Sequence, residues 1–327
     1  MRRRDFIKAL TASAAVWPVA TNAQQPAMPV IGFLGAPTAR GREPFVAAFR
    51  EGLREAGFVE GYNVAIEYHW SEGHYERLPA MAADLVRRQV SVIAATSTQA
   101  ALAAKAATTT IPIVFTTSGD PVELGLVTNL RRPGGNVTGV TSLILVVGSK
   151  RLELLHELVP NASVIAALVN PANPTLAEIN SRELQAAART LGLELHFLNA
   201  STEHDFDGAF AKLIQLRAGG LVIAPDPFYT SRNEQLAALT IRHAVPAIHF
   251  NREFAVAGGL LSYGGGSPDT YRLAGIYTGR VLRGDKPADL PVQQGTKLEL
   301  YINLRTAKAL GITVPQSVQS RADEVIE

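Results

Sequence analysis

IPIVFTTSGDPVELGLVTNLRRPGGNVTG, residues Ile111–Gly139, is the stretch that decides how this chain folds. Ile111 to Phe115 is short and almost wholly apolar, as a strand buried on both faces of a parallel sheet must be. It ends abruptly in Thr116-Thr117-Ser118-Gly119-Asp120-Pro121, small hydroxyls and one acid packed into a loop. In open α/β sheets ligands bind just beyond the carboxyl ends of strands, so this is a candidate ligand loop. Arg131-Arg132-Pro133-Gly134-Gly135 then breaks regular structure before the chain resumes at Val137.

The same rhythm runs outward in both directions. Upstream, apolar runs at Pro29–Leu34, Val64–His69 and Val90–Ala95 alternate with helical patterns at Glu43–Ala56, Leu78–Gln89 and 100–107. Downstream, strands at Val164–Val169, Leu193–Leu198, Leu221–Ala224 and Val245–Phe250 alternate with helices in the same order. Two such sets predict an α/β protein of two doubly wound lobes, as a chain of 327 residues allows. No residue-level repeat links the two halves. A helix at 269–283 follows both sets and is expected to return to the first lobe. The expected division is 28–140 plus 264–288 for lobe 1 and 141–263 plus 289–327 for lobe 2. Gly134-Gly135 and Gly264-Gly265-Gly266 read as hinge or turn glycines, because neither run leads from a strand straight into a helix.

Composition narrows the function. With no cysteine, thiol catalysis, thiolate metal sites and a lipid-attachment cysteine are all excluded. The formal charge of +2 comes from the N-terminus, where Arg2, Arg3, Arg4 and Lys8 stand against Asp5. Without residues 1–23 the chain holds 27 basic and 28 acidic residues, which gives no case for nucleic acid or for insertion of the mature chain in a membrane. Residues 1–8 form a basic region and Ala9–Ala20 a mildly apolar one, the pattern of an export signal cleaved near Ala23. Arg3-Arg4-x-Phe6-Ile7-Lys8 points to the twin-arginine route, with an Arg-rich general secretory signal as the alternative. The product would be free in the periplasm.

Cofactor and catalytic signatures are missing: there is no phosphate-binding Gly-rich loop before a helix, no nucleophile elbow and no His pair at metal-ligand spacing. Neither a catalytic residue, a metal nor a cofactor is therefore assigned. His69 and His74 read as a solvated loop. What remains is a set of polar residues at predicted strand ends: Thr38, Ser97, Thr98, Ser118, Asp120, Asn170, Asp226, Asn251 and Tyr263. Each alone suits a cap or a turn. Together they line the ligand edge of both sheets, and few nucleophile–base pairs can be drawn among them, so they suit holding a polar small molecule. An exported enzyme acting on a small carboxylate, with Asp120 or Asp226 as general acid or base, is the competing reading, and a ligand sensor for a membrane receptor is a third.

Several runs resemble one family along nearly the whole mature chain. Besides GDPV and RPGGNVTG in the opening stretch, they are FREGLREAGFVEG (Phe49–Gly61), ATTTIP (Ala107–Pro112), KRLELL (Lys150–Leu155), GGLLSYG (Gly258–Gly264), KPADLP (Lys286–Pro291), YINLRTAKALG (Tyr301–Gly311) and RADEVIE (Arg321–Glu327). They are similar to substrate-binding proteins of ABC importers, the group that includes tryptophan- and tyrosine-binding members. The resemblance implies a type I periplasmic-binding fold with a multi-crossover hinge. It also implies capture of a solute, an amino acid or related carboxylate, between the lobes for delivery to an ABC permease and ATPase at the inner membrane. Trp70, Phe228, Tyr229 and Tyr263 lie near predicted strand ends and favour an aromatic solute. Leu143-Ile-Leu-Val-Val147 departs from the polar helix start usual in such relatives, at the first crossover.

Overall fold

The computed structural model describes residues 28–142, 144–265, 268–295 and 297–327. The export signal, Leu143 and Gly266 lie outside them.

The first sheet is wholly parallel. Its strands are β1 (Val30–Gly35), β2 (Ala65–Trp70), β3 (Val92–Ala95), β4 (Ile113–Thr117), β5 (Val137–Ser142) and β11 (Gln293–Gly295), in the order β11-β5-β4-β3-β1-β2. The second holds β6 (Val164–Val169), β7 (Glu194–Asn199), β8 (Leu221–Ile223), β9 (Ala247–His249), β10 (Leu261–Gly264), β12 (Glu299–Asn303) and β13 (Glu324–Ile326), in the order β13-β12-β10-β9-β8-β6-β7. Only the β10–β12 pair is antiparallel. The first five strands of each sheet share one order, so the chain has built the same doubly wound lobe twice. Inner strands such as β3 and β4 are buried along their whole length, because helices cover both faces.

The helices follow from the same pattern. In the first lobe they are α1 (Glu43–Glu55), α2 (Leu78–Arg87) and α3 (Thr98–Ala107). The second lobe uses α4 (Gly148–Leu158), α5 (Pro174–Leu191), α6 (Asp205–Gln215), α7 (Pro227–Thr230), α8 (Asn233–Arg242) and α9 (Arg252–Val256). Gly192 ends α5 in the left-handed conformation at φ 69°, which a glycine adopts without a Cβ penalty.

After the second lobe the chain returns. Helix α10 (Pro268–Leu282) lies on α1 so closely that a Cβ on Gly52 would sit 1.9 Å from the Arg272 carbonyl oxygen. One on Gly275 would sit 2.1 Å from that of Phe49. Tyr271, Ala274 and Tyr277 thereby join Ile31, Phe33 and Phe49 in one core. Strand β11 then pairs with β5, so the first sheet draws on residues beyond 289 before β12, α11 (Leu304–Ala309), α12 (Gln316–Gln319) and β13 complete the second lobe. The chain thus crosses between lobes after β5, after β10 and after β11. At the first crossing the apolar run forms a 3₁₀ turn over Leu145–Val147 that buries Ile144 and Leu145 and leaves Val146 exposed.

Candidate functional site

In each lobe the strand order reverses between the first and third strands, and the crevice beyond such a switch point is where doubly wound sheets bind ligands. In the first lobe that point is the end of β3, followed by Thr96-Ser97-Thr98. In the second it is the end of β8, followed by Ala224-Pro225-Asp226. The two ends face each other across one cavity, which offers about 100 Å³ to the centre of a water-sized sphere. That is room for several waters, and so for a compact solute.

The first-lobe wall is the start of α3. Ser97 is its N-cap, its Oγ accepting from Ala100 N at 3.2 Å. The Thr98 and Gln99 amides in the first turn have no partner within the helix, and the helix dipole favours an anion there. Thr98 Oγ1 lies 2.7 Å from Thr117 Oγ1, and Thr116, Thr117 and Ser118 continue the hydroxyl wall from the end of β4. Phe45, Phe250 and Tyr271 supply the aromatic surface. The Tyr271 hydroxyl donates to the Thr96 carbonyl at 3.2 Å, which fixes its ring against the switch point.

The second-lobe wall centres on Asp226, which is 2% exposed and caps α7 through Phe228 N at 2.8 Å. Its Oδ1 also accepts from Asn170 Nδ2 at 3.0 Å and from the Tyr75 hydroxyl at 2.5 Å. Among the described residues its Oδ2 accepts only from Asn173 Nδ2, at 2.7 Å, and keeps one acceptor position. Burial pushes the Asp226 carboxyl above the ordinary carboxylate range, against the pull of its donors. Burial and the neighbouring Asp226 also push the Tyr75 hydroxyl up, so it stays a donor.

Tyr75 belongs to the first lobe and Asp226 to the second, so this bond spans the cleft. Gln99 Nε2 spans it too, donating to Asn173 Oδ1 at 2.9 Å, while Gln99 Oε1 is buried in the cavity wall without a partner among the described residues.

Of the residues expected from strand ends, Ser97, Thr98, Ser118 and Asp226 line this cavity, and Asn170 stands behind Asp226. Thr38 and Asn251 border the open cleft beside it; Thr38 N donates to Ser231 Oγ across the lobes, and Asn251 caps α9. Asp120 is exposed and turned away, its Oδ1 accepting from Val122 N at 2.8 Å. Tyr263 packs against the second-lobe core and offers its carbonyl to Arg151. The aromatic residues expected near the solute go elsewhere: Phe228 and Tyr229 are buried in the second core, and Trp70 packs on Phe33. Sequence reasoning missed Arg42, Phe45, Tyr75, Gln99, Asn173 and Tyr271. Asn173 had a readable signal, since it sits one turn past Asn170 in the same loop.

The family described as ABC transporter substrate binding protein matches residues 37–326. The chain belongs to that family. A tyrosine-binding protein of Clostridioides difficile is 29% identical over 266 residues, 80% of this chain and 75% of that protein. A Streptococcus pneumoniae ABC domain solved in complex with L-Trp is 26% identical, covers 91% of this chain and 99% of its own, and superposes with a TM-score of 0.83. A conserved domain protein from Vibrio cholerae superposes at 0.84, again at 26% identity and with coverage of 91% and 99%. The fold is the type I periplasmic-binding fold, and the matching family is one of substrate-binding proteins. Among the described residues no helix is long and apolar enough to cross a membrane.

Proposed function

We propose that this substrate-binding protein captures an amino acid, aromatic ones foremost, and hands it unchanged to an ABC permease and ATPase at the inner membrane. The observation that carries the reading is the pairing of two opposite chemical ends in one interlobe cavity. The amides at the start of α3 and the Ser97 hydroxyl suit a carboxylate. The open acceptor position on Asp226 Oδ2 and the unpartnered Gln99 Oε1 suit an ammonium. Phe45, Phe250 and Tyr271 suit the side chain. No His or Lys lines the cavity among the described residues, so a hydroxyl nucleophile there has no base beside it except Asp226, which four donors already engage. That favours binding over turnover.

The mature chain would act in the periplasm after twin-arginine export and cleavage near Ala23. Sheet membership supports lobes of 28–142 plus 268–295 and 144–265 plus 297–327. Titration calorimetry of the purified chain against the amino acids tests the function. Saturable one-to-one binding of an aromatic amino acid is expected, and failure of every amino acid to bind overturns the reading.

A further inference from the structure

Arg42 differs from the other half-buried arginines of the chain. Arg232, Arg272 and Arg280 each hold a carboxylate, whereas Arg42 makes no ion pair and no side-chain hydrogen bond among the described residues. Its backbone is fixed as the N-cap of α1: its amide donates to the Ala39 carbonyl at 3.1 Å and its own carbonyl accepts from Val46 N at 2.9 Å. Its guanidinium lies over the Phe45 ring, with Cζ 4.6 Å from the centroid. This places the cation on the cavity wall, where inner cavity and outer cleft meet. Only two charged residues line the inner cavity among those described, Arg42 on one lobe and Asp226 on the other.

We infer that Arg42 shares the ligand's carboxylate with the amides at the start of α3, supplies its counter-ion, and makes this receptor select acids over their neutral or purely cationic analogues. The inference rests on the reading of the cavity as an amino-acid site. A guanidinium is weakly hydrated, stacks on aromatic faces and presents a fork that matches a carboxylate. Phe45 holds it in place without using any of its N–H donors. Once a ligand displaces water from the cavity, an unpaired Arg42 is costly, so a molecule lacking the acid is penalised twice, by the lost contact and by the stranded charge. One cation and one anion in a wall otherwise of hydroxyl, amide and apolar groups are the complement of a zwitterion.

The test is calorimetry with L-tyrosine and L-tryptophan beside their carboxamides, on wild type, Arg42→Gln and Arg42→Lys. Wild type should prefer each free acid to its amide by roughly 10- to 100-fold, the range of a charge-assisted contact. Arg42→Gln should weaken the free acid by a similar factor and leave the amide as tight as in wild type or tighter, because no charge is then stranded, so the preference collapses. Arg42→Lys should retain part of it, because the charge survives without the fork. A role confined to packing on Phe45 would lower acid and amide alike, and that outcome, or an acid affinity indifferent to Arg42, overturns the inference while leaving the amino-acid receptor intact. If no free acid binds wild type, the receptor reading fails and this inference falls with it.

Discussion

At Asp226, burial and hydrogen bonding pull the carboxyl in opposite directions, and burial prevails. A bound ammonium would need the ionised form. As pH falls through the raised pKa, Asp226 loses its charge and affinity for an amino acid should weaken, starting above the ordinary carboxylate range. Asp226→Asn removes the charge at every pH. It should weaken binding by roughly 1.5–3 kcal/mol and flatten that pH dependence, both readable by calorimetry. An unaltered affinity would move the ammonium elsewhere. His249 gives a second pH test, on stability. It is fully buried, neither ring nitrogen has a partner among the described residues, and burial together with nearby Arg151 holds its pKa down to about 3. Unfolded, it titrates near 6.5. Above that pH neither state is charged. Below it the unfolded chain takes a proton that the native state refuses, so stability is lost as pH falls from about 6.5 towards 3. His249→Leu should leave neutral-pH stability nearly unchanged and recover on the order of 3 kcal/mol at pH 4, seen as a higher urea midpoint than wild type. That Asp226, Ser97 and Thr98 line the interlobe cavity was legible from the strand-end rule, since those positions follow from local pattern alone. Arg42, Tyr75 and Gln99 were not legible, because their meaning depends on which residue of the other lobe stands opposite.

Among the elements, the α1–α10 crossing shows how a helix late in the chain is tied to the first lobe. Gly52 and Gly275 let the two backbones meet where any side chain would strike a carbonyl. Gly275→Ala should therefore cost more than the usual 1–3 kcal/mol of an overpacked core site, since backbone and not a flexible side chain must give way. Chemical denaturation measures it, and a loss under about 1 kcal/mol would mean that the helices separate easily. The return of this helix was readable from the order of elements, since a lone amphipathic helix after two finished lobes must find a sheet to cover. Most long elements were readable too, because 3.6-residue and buried-strand patterns persist over 10 or more residues in α1, α5 and α10 and over whole strands such as β1 and β6. Apart from β5, what escaped was short. The sheet membership of β5, and β11, β13, α9 and α12 altogether, went unread; β11 and β13 have 3 residues each, α12 has 4 and α9 has 5, too few for any period. Their places are set by neighbours: β11 exists only as the partner of β5, and β13 only beside β12.

For the whole molecule, the question is what a solute does to two lobes joined by three crossings. Tyr75–Asp226, Gln99–Asn173, Thr38–Ser231 and the Arg182–Glu123 ion pair already link the lobes across the cleft. Such links are few and partly exposed, so a ligand touching both walls would add substantially to closure; hinge closing around a ligand is general for periplasmic binding proteins, which are the standard example. A ligand that binds only the native, closed arrangement must stabilise it by mass action. At about 100 times Kd the gain is roughly 2.7 kcal/mol. Each kcal/mol raises the melting temperature by about 2–4 °C for chains of 150–250 residues, and this longer chain should fall near the low end. The cognate solute should therefore raise Tm by roughly 5 °C, with almost no shift from non-ligands. Aromatic amino acids head the screen, followed by aromatic carboxylates and small organic acids. Chromatography of the same samples after incubation adds the decisive half: the solute should come back chemically unchanged. A converted product in excess of protein would promote the enzyme reading and sink the receptor.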